Sequence, residues 1–104
     1  MTLCRVTGTV VATVKSERLR ASRLLLVRAL DLDGALRDRP EDVALDPGLD
    51  AGVGDTVLVA KEGAVVADLF DRDLPAGALA TPANVVIVAV VEGWTVDGVT
   101  HAAR

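Results

Sequence analysis

Aromatic residues are nearly missing from this sequence: its 104 residues include one Phe, one Trp and no Tyr. That scarcity counts against base-stacking platforms and aromatic cages. Cysteine is just as sparse. A single Cys4 excludes an internal disulfide and fits a reducing compartment. The acid–base inventory is thin, with His101 as the one histidine and Ser16 and Ser22 as the two serines. No grouping of His and Cys has zinc spacing. The longest uninterrupted apolar run, Val85 to Val91, is seven residues, where a membrane helix needs about 20. Polar residues throughout MTLCRVTGTV leave no hydrophobic core for a signal peptide. The expectation is a soluble, cytoplasmic chain.

What the sequence does contain is small aliphatic side chains. Apolar residues make up 51% of it, led by 18 Val, 16 Ala and 14 Leu. This is enough for a real core and biased towards strands. At 10.8 kDa the length suits one domain, 1–104. The net charge of −4 makes nucleic acid an unfavoured partner. Residues 1–28 nevertheless carry six Lys/Arg against one Glu, and residues 29–104 carry five against 14 Asp/Glu. Such a division suits self-pairing, and equally suits two differently charged solvated faces.

Periodicity supplies the elements. Cys4, Val6, Gly8, Val10, Ala12 and Val14 alternate with mostly polar residues, which predicts a long half-buried strand with a bend or bulge at Gly8. Lys15 to Arg18 is a polar break, and Arg23–Leu32 is a second strand. Val43–Leu45, Thr56–Glu62 and Asn84–Val96 complete five, the last interrupted at Gly93. Residues 64–70 read as one or two helical turns at most, and Asp97-Gly98 as a turn before a short loose tail. Strands in this order predict an all-β fold: a small OB-like five-stranded β-barrel, closed or partly open and antiparallel. Leu24–Val27 and Val85–Val91 are apolar at both parities, whereas a one-layer barrel buries only its inner face. The second face needs a cover, and a neighbouring subunit is the favoured one.

No constellation carries catalysis. A Cys4–His101 pair would need the termini to meet, and Cys4 falls on the apolar face of its strand. Asp31-Leu32-Asp33-Gly34 opens like a calcium loop, but its glycine comes two positions early and no Glu closes it. Asp68, Asp71 and Asp73 read as solvated loop charge. Gly52-Val53-Gly54 precedes a strand rather than a helix, so it reads as a tight turn and not a phosphate cradle. Trp94 reads as a core or interface anchor. The basic residues Lys15, Arg18, Arg20, Arg23 and Arg28 have no aromatic among them, which weakens a nucleic-acid reading further. The expectation is a non-enzyme with no cofactor and no metal.

An ordered set of segments does carry information. It comprises Val6–Lys15, Leu19, Leu24–Val27, Asp33-Gly34, Ala44-Leu45-Asp46, Asp50–Asp55 with Val57–Val59, and Pro82-Ala83 leading into Val86–Val91. Together, across residues 1–97, these resemble the EutN/CcmL family, the vertex proteins of bacterial microcompartment shells. Two departures stand out. Asp50 replaces the first glycine of the family's turn. Gly63-Ala64-Val65-Val66-Ala67-Asp68 replaces its Gly-Ser-Ser-Ala-Arg segment, so roles of that serine and arginine do not carry over.

The resemblance implies an OB-like barrel assembling as a cyclic homopentamer at the fivefold corners of a shell in the bacterial cytoplasm. Its implied neighbours are hexameric, and possibly trimeric, shell proteins, with no nucleic acid and no membrane. A stand-alone OB-type module binding a small ligand or oligonucleotide is the alternative. Candidate pore or interface turns are Asp50, Ala51, Gly52, Val53, Gly54 and Asp55, and Glu62, Gly63 and Ala64. Candidate subunit-interface residues are Arg18, Arg20, Leu25, Val27, Val86, Val88 and Val90.

Overall fold

A computed structural model describes residues 1–11, 23–61 and 85–103. Arg18, Arg20, Glu62, Gly63, Ala64, the helical turns at 64–70 and the acidic group at 68–73 lie outside the described residues. Five strands close a barrel: β1 (Thr2–Val10), β2 (Arg23–Ala29), β3 (Asp42–Asp46), β4 (Thr56–Ala60) and β5 (Val86–Val91). Their order is β1-β2-β3-β5-β4, returning to β1. All pairings are antiparallel except β3 with β5, which is parallel and consists of Leu45 opposite Val86. The Leu45 amide donates to the Val85 carbonyl at 3.0 Å there. Among the described residues there is no helix.

Alternation decides what each strand buries. Cys4 and Val6 point inward from β1, and Leu25 and Val27 from β2. Ala44, Val57, Val59 and Ile87 complete this core, with Ala51 from a connecting loop added to it. Burying one such Leu or Val stabilises the fold by about 1.5–3 kcal/mol. The anticipated irregularity near Gly8 is present: Val6 pairs with Val27 and Gly8 with Leu26, so Thr7 is the extra residue of a bulge.

Three of the five strand residues expected at a subunit interface, Leu25, Val27 and Val86, are instead buried within the one chain. Leu25 and Val27 are inside the barrel, because the inward set of β2 has the opposite parity to Leu24 and Leu26. Val86 is also fully buried within the one chain, in a second cluster with Leu45 and Ala60, against which Leu24 and Val88 pack. Val86, Val88 and Val90 do not share one face. Val59 pairs with Ile87 but Leu58 with Ala89, so a bulge at Val88 shifts the phase of β5. Val90 therefore pairs with the core residue Val57 and sits at the barrel's end, 42% exposed.

The region after Gly93 also differs from expectation. It is a hairpin of β6 (Gly93–Val96) and β7 (Val99–Ala102), forming a separate two-stranded sheet. Asp97 and Gly98 both have positive φ, 50° and 76°, as a two-residue hairpin turn with the hand of the strands requires. Gly93 is obligatory at the base, since a Cβ there would lie 2.9 Å from the His101 carbonyl oxygen.

Candidate functional site

The loop from Asp46 to Asp55 is built around one buried carboxylate. Asp46 Oδ1 accepts from the amides of Gly48 at 3.0 Å and Leu49 at 2.7 Å, and Oδ2 from Ala51 at 2.8 Å. Burial would raise its pKa. The three amides, with a smaller contribution from Arg23, outweigh burial and leave the carboxyl below the usual aspartate value. Asp46 thus stays ionised and fixes the loop from below.

Asp50 holds φ of 57°, a left-handed conformation in which Gly, Asn and Asp are the tolerated residues. Its carboxylate meets Arg23 Nη1 at 3.4 Å, and the same nitrogen donates to the Ala51 carbonyl at 3.0 Å. The Asp50 side chain is almost fully exposed, so the ion pair itself adds little stability. The turn closes through Gly52 N to Asp55 Oδ2 at 2.8 Å and Asp55 N to Gly52 O at 3.0 Å. It is tied to β1 by Gly54 N to Val6 O and Val6 N to Asp55 O, both 2.9 Å. What this framework presents outward is Leu49, Asp50 and Val53, the last 58% exposed. The turn itself offers no nucleophile.

Cys4 and His101 are not brought together as a catalytic pair. Cys4 is buried in the barrel core, and burial pushes its thiol up despite the opposing field of Lys61. His101 lies in β7 with its ring stacked on Trp94, centroids 5.3 Å apart and planes 13° apart. Trp94 Nε1 donates to the Leu32 carbonyl at 2.8 Å, so the indole anchors the hairpin to the loop after β2. In that loop the carboxylates have structural partners. Asp31 meets Arg37 Nε at 2.9 Å, and Asp33 accepts from the Ala35 amide at 2.9 Å.

A cleft of about 410 Å³, which the sequence did not reveal, opens where the hairpin rejoins the barrel. It is lined by Asp55, Thr56, Val90, Val91, Glu92, Ala102 and Ala103. Ala103 closes the outer face of β1 and β4: its carbonyl accepts from Thr56 Oγ1 at 2.9 Å, and its amide donates to the Glu92 carbonyl at 3.1 Å.

A family model described as ethanolamine utilisation protein EutN/carboxysome matches residues 1–92. The chain belongs to the EutN/CcmL family. Its relatives include the microcompartment shell vertex protein PduN of Salmonella typhimurium, 48% identical over 63 residues, which cover 58% of this chain and 68% of PduN. The carboxysome shell vertex protein CcmL of a Nostoc species is 32% identical over 92 residues, covering 88% of this chain and 83% of CcmL. The solved structure of a Nostoc CcmL superposes with a TM-score of 0.79 at 28% identity, with both chains covered completely. A pentameric microcompartment shell protein, GrpN of Rhodospirillum rubrum, gives 0.71 at 28% identity, covering 95% of this chain and 100% of GrpN. Within the EutN/CcmL fold, Asp50 now has a physical explanation. In place of the turn glycine that the resemblance leads one to expect, it adopts a positive φ that aspartate tolerates.

Proposed function

We propose that the chain is a structural, non-catalytic vertex subunit, five copies of which close a ring at a fivefold corner of a bacterial microcompartment shell in the cytoplasm. The supporting observation is the family match over residues 1–92, joined to a closed barrel that superposes on shell proteins along its whole length. Residues 1–104 serve as one shell-forming unit. The neighbouring tiles are hexameric, and in part trimeric, shell proteins. A surface of hexagonal tiles closes only where fivefold corners supply curvature, so the subunit's action is geometric: it bends and seals. A head-to-tail contact between different faces of one chain generates such a ring.

The Asp50–Asp55 turn is the contact we assign to the ring's axial or subunit side. It is braced by backbone hydrogen bonds and exposes Val53 at its tip. Glu62, Gly63 and Ala64 remain the second candidate turn. The test is a Val53→Cys variant under mild oxidation. If neighbouring turns meet, disulfide-linked dimers form within the native particle; a particle of unchanged mass with no cross-link rejects the assignment. The vertex role itself is tested by producing the facet proteins with and without this chain. Closed shells require it, and closed shells formed without it contradict the role.

A further inference from the structure

The dipeptide Asp-Gly occurs twice in the sequence, at Asp33-Gly34 and at Asp97-Gly98. Both glycines have positive φ, 92° and 76°. Asp-Gly is the pair at which a backbone most readily attacks its own side chain. Glycine has no Cβ to shield its amide nitrogen, and the preceding carboxyl can close a small ring with that nitrogen.

The two sites differ in what holds the reacting atoms. At the first, Gly34 N donates to the Asp31 carbonyl at 2.9 Å, and Asp33 Oδ1 accepts from the Ala35 amide at 2.9 Å. The Trp94 ring covers Gly34, 3.8 Å from where a Cβ would stand, and is itself fixed by its bond to the Leu32 carbonyl. Nucleophile and electrophile are each tied to another group. At the second site, among the described residues, no hydrogen bond holds Gly98 N or the Asp97 carboxylate. Both residues are exposed, and a Cβ on Gly98 would meet nothing within 4 Å. The turn is the tip of a separate two-stranded sheet, closed by the pairing of Val96 with Val99. Such tips open at little cost.

We propose that Asp97-Gly98 is a site of spontaneous backbone isomerisation to isoaspartate, and that the fold protects Asp33-Gly34 from the same reaction. The lone pair of Gly98 N attacks Asp97 Cγ of the protonated carboxyl; the N–Cγ bond forms and the Cγ–OH bond breaks. The hydroxyl leaves with the amide hydrogen as water, and a cyclic imide remains. Water then adds to one imide carbonyl and breaks its C–N bond. Opening at the former main-chain carbonyl gives isoaspartate, with the chain running through Cβ and Cγ. Nothing is oxidised or reduced, and the final mass is unchanged. The extra backbone atom falls in the two-residue turn that sets the register of β6 against β7. None of this depends on the ring reading.

The experiment ages the wild-type chain in native buffer and in denaturant. Isoaspartate is read by methyl transfer from an isoaspartyl O-methyltransferase and located by peptide mapping. In native buffer, label should accumulate at Asp97 at least about tenfold faster than at Asp33, whose reacting atoms are freed only by local opening. In denaturant the two rates should become alike. Equal native rates, or native protein without label at Asp97, would overturn the proposal. A difference that persists in denaturant would assign it to the neighbouring residues and overturn protection by the fold. Asp97→Asn and Asp33→Asn supply a second readout. The same ring closure then expels ammonia, and hydrolysis leaves the mass gain of an amide converted to an acid. Deamidation should be fast in Asp97→Asn and slow in Asp33→Asn; equal rates or the opposite order would contradict the assignment.

Discussion

Asp46 is the residue on which the candidate turn depends. Removing its carboxylate in Asp46→Ala strips three amides of their acceptor, and a loss of about 2–4 kcal/mol in chemical denaturation is expected. Its folded pKa is depressed, so its ionisation stabilises the fold fully above the ordinary aspartate value of 3.8 and progressively less as pH falls through the lower folded value. Wild type should therefore lose this increment on acidification, and Asp46→Asn should show a flatter acid limb in a pH series of melting temperatures. Cys4 gives a second prediction at the same scale. Buried, with its thiol pushed up, it should react with a thiol reagent only as fast as the barrel opens, and rapid labelling of the native protein would contradict its place in the core. Leu25→Ala should cost about 2–5 kcal/mol, because this side chain fills the barrel and does not face a neighbour.

At the scale of elements, the sequence revealed the strands better than their faces. Period two located β1, apolar runs between turn signals located β2 to β5, and Gly8 announced the bulge that the register shows at Thr7. Parity failed in β2 and β5 because both are apolar on each side, so hydrophobicity alone cannot say which set points inward. In β5 the bulge at Val88 then moves Val90 out of phase with Val86, and nothing in a run of aliphatic residues marks such a bulge. The hairpin was legible and was missed. Asp97-Gly98 between Thr95-Val96 and Val99-Thr100 is a strong short-range hairpin signal, but a position near the end of the chain invited a reading as loose tail. The Asp46 hydrogen bonds could not be read, since they depend on where the loop folds back. Gly93→Ala should break the hairpin's base, where the new Cβ would meet the His101 carbonyl oxygen. A cost of about 1–3 kcal/mol is expected, with a shift in Trp94 fluorescence as the stack on His101 is lost; unchanged emission would mean that β6 and β7 tolerate the displacement.

For the whole molecule, the ordered family segments were legible from the sequence, and the match over residues 1–92 agrees with them. The separation of a basic first quarter from an acidic remainder belongs at this scale as well, because complementary sides on one chain favour head-to-tail closure. Charge reversal at Arg18 and Arg20 together should weaken the ring and make its mass dependent on concentration; a mass unaffected by the double reversal would remove those residues from the contact. Native mass by light scattering after gel filtration, at two protein concentrations, asks most directly whether this chain is a vertex subunit. Five copies of the 10.8-kDa chain, about 54 kDa at both concentrations, is the expected result. A particle of 10.8 kDa at both concentrations would contradict the ring and the shell-corner function that rests on it.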